Sequence, residues 1–183
     1  MTANRRDPST SRRAIGALAG LGGLVMIGAS FLPWITVETV DLGSAAINGW
    51  GGISGDTPIA GTNLNDVLDG AGSYRPGLIG LIFGAIAVIA AIVIAGISQG
   101  NRPHRITAMV LVLCGLIAAG WGLFRGIDPG DAGVLDAGEG AAGFGPWLLA
   151  IGGVLALVSA GLIFAGLIDP RLSAAGRRGI GPR

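Results

Sequence analysis

Four stretches of the chain carry no charged side chain: residues 14–37, 76–101, 106–124 and 141–168. A helix needs about 20 apolar residues to cross a hydrocarbon core of about 30 Å. The pattern therefore predicts four spans, at about 14–34, 78–98, 106–124 and 147–168. The links between them differ in length. Residues 99–105 read as a tight turn, which makes spans two and three antiparallel neighbours. Residues 35–76 form a long loop and 125–146 an intermediate one, while 1–13 and 169–183 are Arg-rich tails. The expected fold class is an all-α membrane protein, a four-transmembrane-helix bundle with a small cap in loop one.

Inside loop one the period changes. Segment 34–42 (Trp-Ile-Thr-Val-Glu-Thr-Val-Asp-Leu) is rich in β-branched residues and follows Pro33, so it reads as a strand. Ala45 to Ile53 can pair with it, with Gly43-Ser44 near the turn. Leu64, Val67 and Leu68, capped by Thr62 or Asn63, suggest a turn or two of helix. A cap of one β-hairpin and a short helix follows, with Trp50 at its hydrophobic centre or, alternatively, as a surface anchor for a partner.

Composition agrees with a lipid setting. Only 13% of the 183 residues are charged and mean hydropathy is +0.68, against about 25% charged in soluble domains. All 12 basic residues are Arg, a bias that points to a GC-rich bacterial genome. Their placement sets orientation. Arg5, Arg6, Arg12, Arg13, Arg102, Arg105, Arg171, Arg177, Arg178 and Arg183 fall on one side of a four-span scheme, and only Arg75 and Arg125 on the other. The acids Glu38, Asp41, Asp56, Asp66, Asp69, Asp128, Asp131, Asp136 and Glu139 all fall in the two long loops. Arginine-rich flanks stay in the cytoplasm. The expectation is a multi-pass protein of the cytoplasmic (cell) membrane with both termini inside and both long loops outside. A rival reading exists for span one. Ser11-Arg12-Arg13-Ala14-Ile15-Gly16 resembles a twin-arginine export motif and Gly28-Ala29-Ser30 suits a cleavage site. The apolar run exceeds the roughly 7–15 residues of a signal h-region, which favours an uncleaved helix.

With 35 glycines, close helix packing through small residues is expected. Gly16/Gly20, Gly80/Gly84 and Gly122/Gly126 have the four-residue spacing, and Ala87, Ala91 and Ala95 extend a small stripe along span two. Such stripes serve packing within one chain or between copies, so a homo-oligomer stays open. Trp34, Tyr74, Trp121 and Trp147 lie near the outer boundaries and read as interfacial anchors.

Candidate chemistry is sparse. Cys114 is the one cysteine, so no disulfide forms within the chain, and it reads as a small core residue. His104 is the one histidine and reads as a polar residue of the short turn. Ser159 reads as bonded to its own helix backbone. Asp128, Asp131, Asp136 and Glu139 alternate with glycine but lack EF-hand spacing. No catalytic, cofactor or metal site residue is assigned, and no nucleic-acid partner is expected. The flanking arginines can attract anionic membrane lipid.

The Arg-rich start, the span ending Leu32-Pro33-Trp34-Ile35-Thr36-Val37, the short Arg-containing turn and the opening Gly145-Pro146-Trp147-Leu148 together resemble small four-span membrane proteins of actinobacteria. These include the conserved family encoded near tryptophan-biosynthesis genes. The resemblance implies location and topology but no chemistry. Claudin-like proteins share the layout, without matching loop cysteines here. The expected role is a non-enzymatic envelope scaffold or accessory protein whose outer loops meet a protein partner. The alternatives are a small transporter or channel-like subunit, and a membrane enzyme on lipid-linked substrates built around Arg125, Asp128 and Asp131.

Overall fold

The computed structural model describes residues 8–39, 43–67, 73–96, 101–129 and 140–168. Helix α1 (Pro8–Ala29) leads into β1 (Pro33–Thr39), β2 (Gly43–Asn48), β3 (Ile53–Asp56) and the short α2 (Leu64–Val67). Then come α3 (Gly77–Gly96), α4 (Asn101–Ile127), β4 (Ala141–Ala142) and α5 (Phe144–Phe164). Four of these helices, α1, α3, α4 and α5, are long and apolar enough to cross a membrane. The expected four-helix class therefore holds, and the chain is a multi-pass membrane protein.

Boundaries move at both ends of the helices. The first span stops at Ala29 rather than near 34, because Ser30 to Leu32 make a turn and Pro33 already belongs to the sheet. Residues 8–13 belong to α1 rather than to a separate tail. Helix α4 starts earlier than expected, since Asn101 to Arg105 already belong to it. Pro103 is tolerated there because first-turn N–H groups have no partner in the helix. At its other end α4 runs past Phe124 and takes in Arg125. Helix α5 begins at Phe144 and ends at Phe164, and Gly166 turns the chain with φ 76°.

The closest helix contacts run α3–α1–α5–α4, while α3 and α4 meet less extensively although they are consecutive. Hydrocarbon gives helices no hydrophobic drive to associate, so close backbone approach must supply the packing. Two glycine doublets do this. Neighbouring residues on a helix point about 100° apart, so a doublet can face two partners. A methyl group at Gly22 would stand 2.9 Å from the carbonyl oxygen of Gly152 on α5, and one at Gly23 2.7 Å from that of Gly84 on α3. From α5, a methyl at Gly152 would stand 2.8 Å from Gly22 O and one at Gly153 2.8 Å from Gly115 O on α4. The three spaced pairs also pack within the chain. Gly16 and Gly20 face Ala91, Gly80 and Gly84 face α1, and Gly122 and Gly126 face Pro146 and Trp147 of α5. Polar side chains of the spans close on their own helices: Ser30 Oγ donates to Met26 O (3.3 Å) and Ser159 Oγ to Leu155 O (2.8 Å).

The cap is a four-stranded sheet in the order β3-β2-β1-β4, antiparallel at each pairing. It is larger than the expected hairpin for two reasons. Segment 45–53 is not one strand, because Asn48 Oδ1 accepts from Trp50 N and Gly52 N and folds the chain back into β3. Loop two also supplies β4, whose Ala142 pairs with Ile35. Successive residues of a strand point to opposite faces. Trp34 accordingly enters the bundle core while Ile35 joins Ile47, Ile53, Leu64 and Tyr74 in a separate cap core. Trp50 is therefore not the centre of the cap. It lies half-buried with its ring 5.9 Å from Phe31 at the end of α1.

Trp34 is no interfacial anchor either. It is 1% exposed, and its indole N–H donates to Ala29 O at 2.9 Å, closing the C-terminus of α1. Its carbonyl accepts from Gly143 N (3.0 Å) ahead of α5, and its ring fills the space beside Gly145. Gly77 N donates to Gly49 O (2.9 Å), which ties the start of α3 to the β2–β3 turn. The cap is thus bonded to the bundle at three helix ends.

Replacing Gly23, Gly84 or Gly152 by Ala is expected to cost on the order of 1–3 kcal/mol each through overpacking. Gly28→Ala and Gly120→Ala, where a methyl meets nothing within 4 Å, are expected to be neutral or to stabilise by up to about 1 kcal/mol. Thermal unfolding of the purified variants in detergent checks the contrast.

Candidate functional site

At the cap end of the bundle, the start of α3 and the last turns of α4 border an open-sided cavity of about 600 Å³. The limited packing of α3 on α4 leaves room for it. Its walls are Ser73, Tyr74, Arg75 and Pro76 from the segment entering α3, Leu78 and Ile79 from α3, and Trp121, Phe124 and Arg125 from α4.

The cap fixes the first wall. Asn65 of α2 grips the Tyr74 peptide on both sides: its Oδ1 accepts from Tyr74 N (2.6 Å) and its Nδ2 donates to Tyr74 O (3.2 Å). Asn65 Nδ2 also reaches Trp50 O (3.2 Å) and Asn63 Oδ1 (2.8 Å). Asn63 caps α2 by accepting from Asn65 N at 2.9 Å. The Tyr74 side chain, 5% exposed, packs in the cap core.

Helix α4 supplies the second wall. Trp121 and Arg125 are four residues apart and so share a face. The Arg125 side chain is 4% exposed. Its guanidinium carbon lies 5.9 Å from the Tyr74 ring centre and 6.0 Å from that of Trp121. Cation–π attraction of this kind contributes about 0.5–2 kcal/mol. A cation in the last turn of a helix is also favoured by the helix dipole. Arg125 Nε, Trp121 Nε1 and Tyr74 Oη are nevertheless buried without a hydrogen-bond partner among the described residues. Burial pushes the Tyr74 hydroxyl above its ordinary pKa, and the positive charge of Arg125 draws it part of the way back.

The other residues singled out in the sequence do not converge here. Asp128 is exposed just beyond α4, and Asp131, Asp136 and Glu139 lie outside the described residues. Among the described residues no group of three His, Cys, Asp or Glu could hold a metal ion. His104 is buried in the first turn of α4 rather than in a turn, and Cys114 is buried within α4. Trp147, 41% exposed beside Gly126, fits the aromatic belt, whereas Tyr74 is buried and Trp121 half-buried against the cavity. The cavity was signalled in the sequence only by Arg75 and Arg125, the two exceptions to the charge asymmetry.

Tyr74 is the one tyrosine of the chain, so its phenolate absorbance reports a single group. The folded state prefers the neutral phenol. The stability this gives is full below the unfolded pKa near 10 and is lost as pH rises through the higher folded value. Phenolate absorbance is expected to rise only above the ordinary range while the protein stays folded. Tyr74→Phe should flatten the alkaline fall in thermal stability.

No model of a known protein family matches the chain, and no curated protein matches it.

Proposed function

We propose that the chain is a non-enzymatic scaffold or accessory protein of the cell membrane, with both termini cytoplasmic and the cap presented outside to a protein partner. The observation that carries this reading is the join between cap and bundle. Trp34, the β1–β4 pairing and the Gly49–Gly77 hydrogen bond fix the sheet to α1, α3 and α5 at once. A cap held in this way keeps one height and one tilt above the membrane, which suits a docking platform. Ile59 and Val67 are 47% and 59% exposed on the cap and offer apolar contact. The arginine distribution supports the orientation.

A channel-like role is a weaker reading. The glycine crossings close the α1–α3, α1–α5 and α4–α5 interfaces to a path through one copy.

The test has two parts. Reporters fused to each end should be shielded in intact cells, while cysteines placed at Ile59 and Val67 should react with an impermeant label. A photocrosslinker at Val67 should then capture a discrete protein in native membranes that one at Ile92, on the exposed face of α3, does not. Labelling of either tail from outside would overturn the orientation. Identical bystander adducts at both positions would overturn the docking role.

A further inference from the structure

Arg75 and Arg125 are far apart in sequence and alone in breaking the charge asymmetry, yet both wall the same cavity. A buried charge needs a counter-charge or a full set of hydrogen bonds. The Arg125 guanidinium carbon lies over the Tyr74 and Trp121 rings. A guanidinium bonds through five N–H groups in its plane, and Nε has no acceptor among the described residues. Trp121 Nε1, which can only donate, is likewise buried without a partner among the described residues, and Trp121 and Tyr74 both line the cavity. No carboxylate is among the described wall residues. Among the described residues the arrangement has one buried and one exposed positive charge, a surplus of donors and no anionic acceptor. A structural arginine closing α4 would explain the position of Arg125. It would not explain the unpartnered donors.

The cavity is far larger than a phosphate group, and its remaining walls are apolar. Leu78 and Phe124 line it and are also 43% and 45% exposed on the lipid-facing surface of α3 and α4. The space therefore continues from a cationic end to an oily one, at the level where a membrane helix ends. We propose that this cavity binds the phosphodiester of an anionic phospholipid from the leaflet on the cap side. Arg125 and Trp121 donate to the phosphate oxygens, Arg75 adds charge, and the first carbons of an acyl chain lie along Leu78, Ile79 and Phe124. The site does not depend on a protein partner for the cap.

Native mass spectrometry of the full-length protein in uncharged detergent, paired with thermal shifts, tests this with four probes: phosphatidylglycerol, phosphatidylcholine, glycerol 3-phosphate and inorganic phosphate. Phosphatidylglycerol is expected to bind about tenfold tighter than phosphatidylcholine and to raise the melting temperature, with the two soluble phosphates giving no comparable shift. Arg125→Gln should weaken phosphatidylglycerol binding about tenfold or more, as for loss of a charged hydrogen bond. Trp121→Phe keeps an aromatic ring and should weaken it about two- to tenfold. This variant decides the matter if Arg125→Gln does not fold. Equal binding of both lipids, or unchanged phosphatidylglycerol binding in the variants, would overturn the site. An equal shift with inorganic phosphate would overturn the lipid as its source.

Discussion

In hydrocarbon a helix gains nothing by hiding leucine from leucine, so this bundle rests on how near its backbones can come. The doublets Gly22-Gly23 and Gly152-Gly153 set that distance. Each lies on one of the two central helices and serves two neighbours at once, which explains why α1 and α5 occupy the middle and α3 and α4 the flanks. The outward surfaces are left to Ile, Leu and Val, which face lipid and need no partner. The same arrangement accounts for the cavity. With α1 and α5 claiming the close contacts, α3 and α4 meet loosely, and the gap at their cap end stays open between Tyr74 and Trp121.

Trp34 transmits the order of the bundle to the cap. It stands where α1 ends, β1 begins and α5 starts, and it donates to the Ala29 carbonyl, which also accepts from Leu32 N. Because the next residue, Ile35, points the other way, one strand contributes to two hydrophobic cores with no linker between them. The Asn63–Asn65 pair extends the connection to Tyr74, so cap and cavity share a wall.

Much of the fold was legible. Charge-free stretches mark lipid-crossing helices because a charge at membrane depth is costly, and the β-branched run after Pro33 marks the first strand. The spaced glycine pairs were also visible as packing surfaces, though not whether they faced their own chain. What stayed hidden depends on long-range contacts. Adjacent glycines break the four-residue spacing that signals a helix interface, so the doublets do not stand out. Two alanines have no strand signature, and Ala141–Ala142 becomes a strand only because β1 offers an open edge. Trp34 looks like a belt residue in sequence, and only the turn at Ser30 to Leu32 brings it back beneath α1. The cavity was legible only in outline. Arg75 and Arg125 stood out against the charge count, but no spacing rule joins residues so far apart in the chain.

The pairing of Ile35 with Ala142 carries a consequence for biogenesis. Strand β1 leaves the ribosome early and its outer partner emerges only when the last helix is about to follow. Until then its free edge has amide groups with no strand to meet them. The finished sheet is therefore a mark of a fully threaded polypeptide, and a stalled or truncated product would carry an open β edge that chaperones and proteases can recognise.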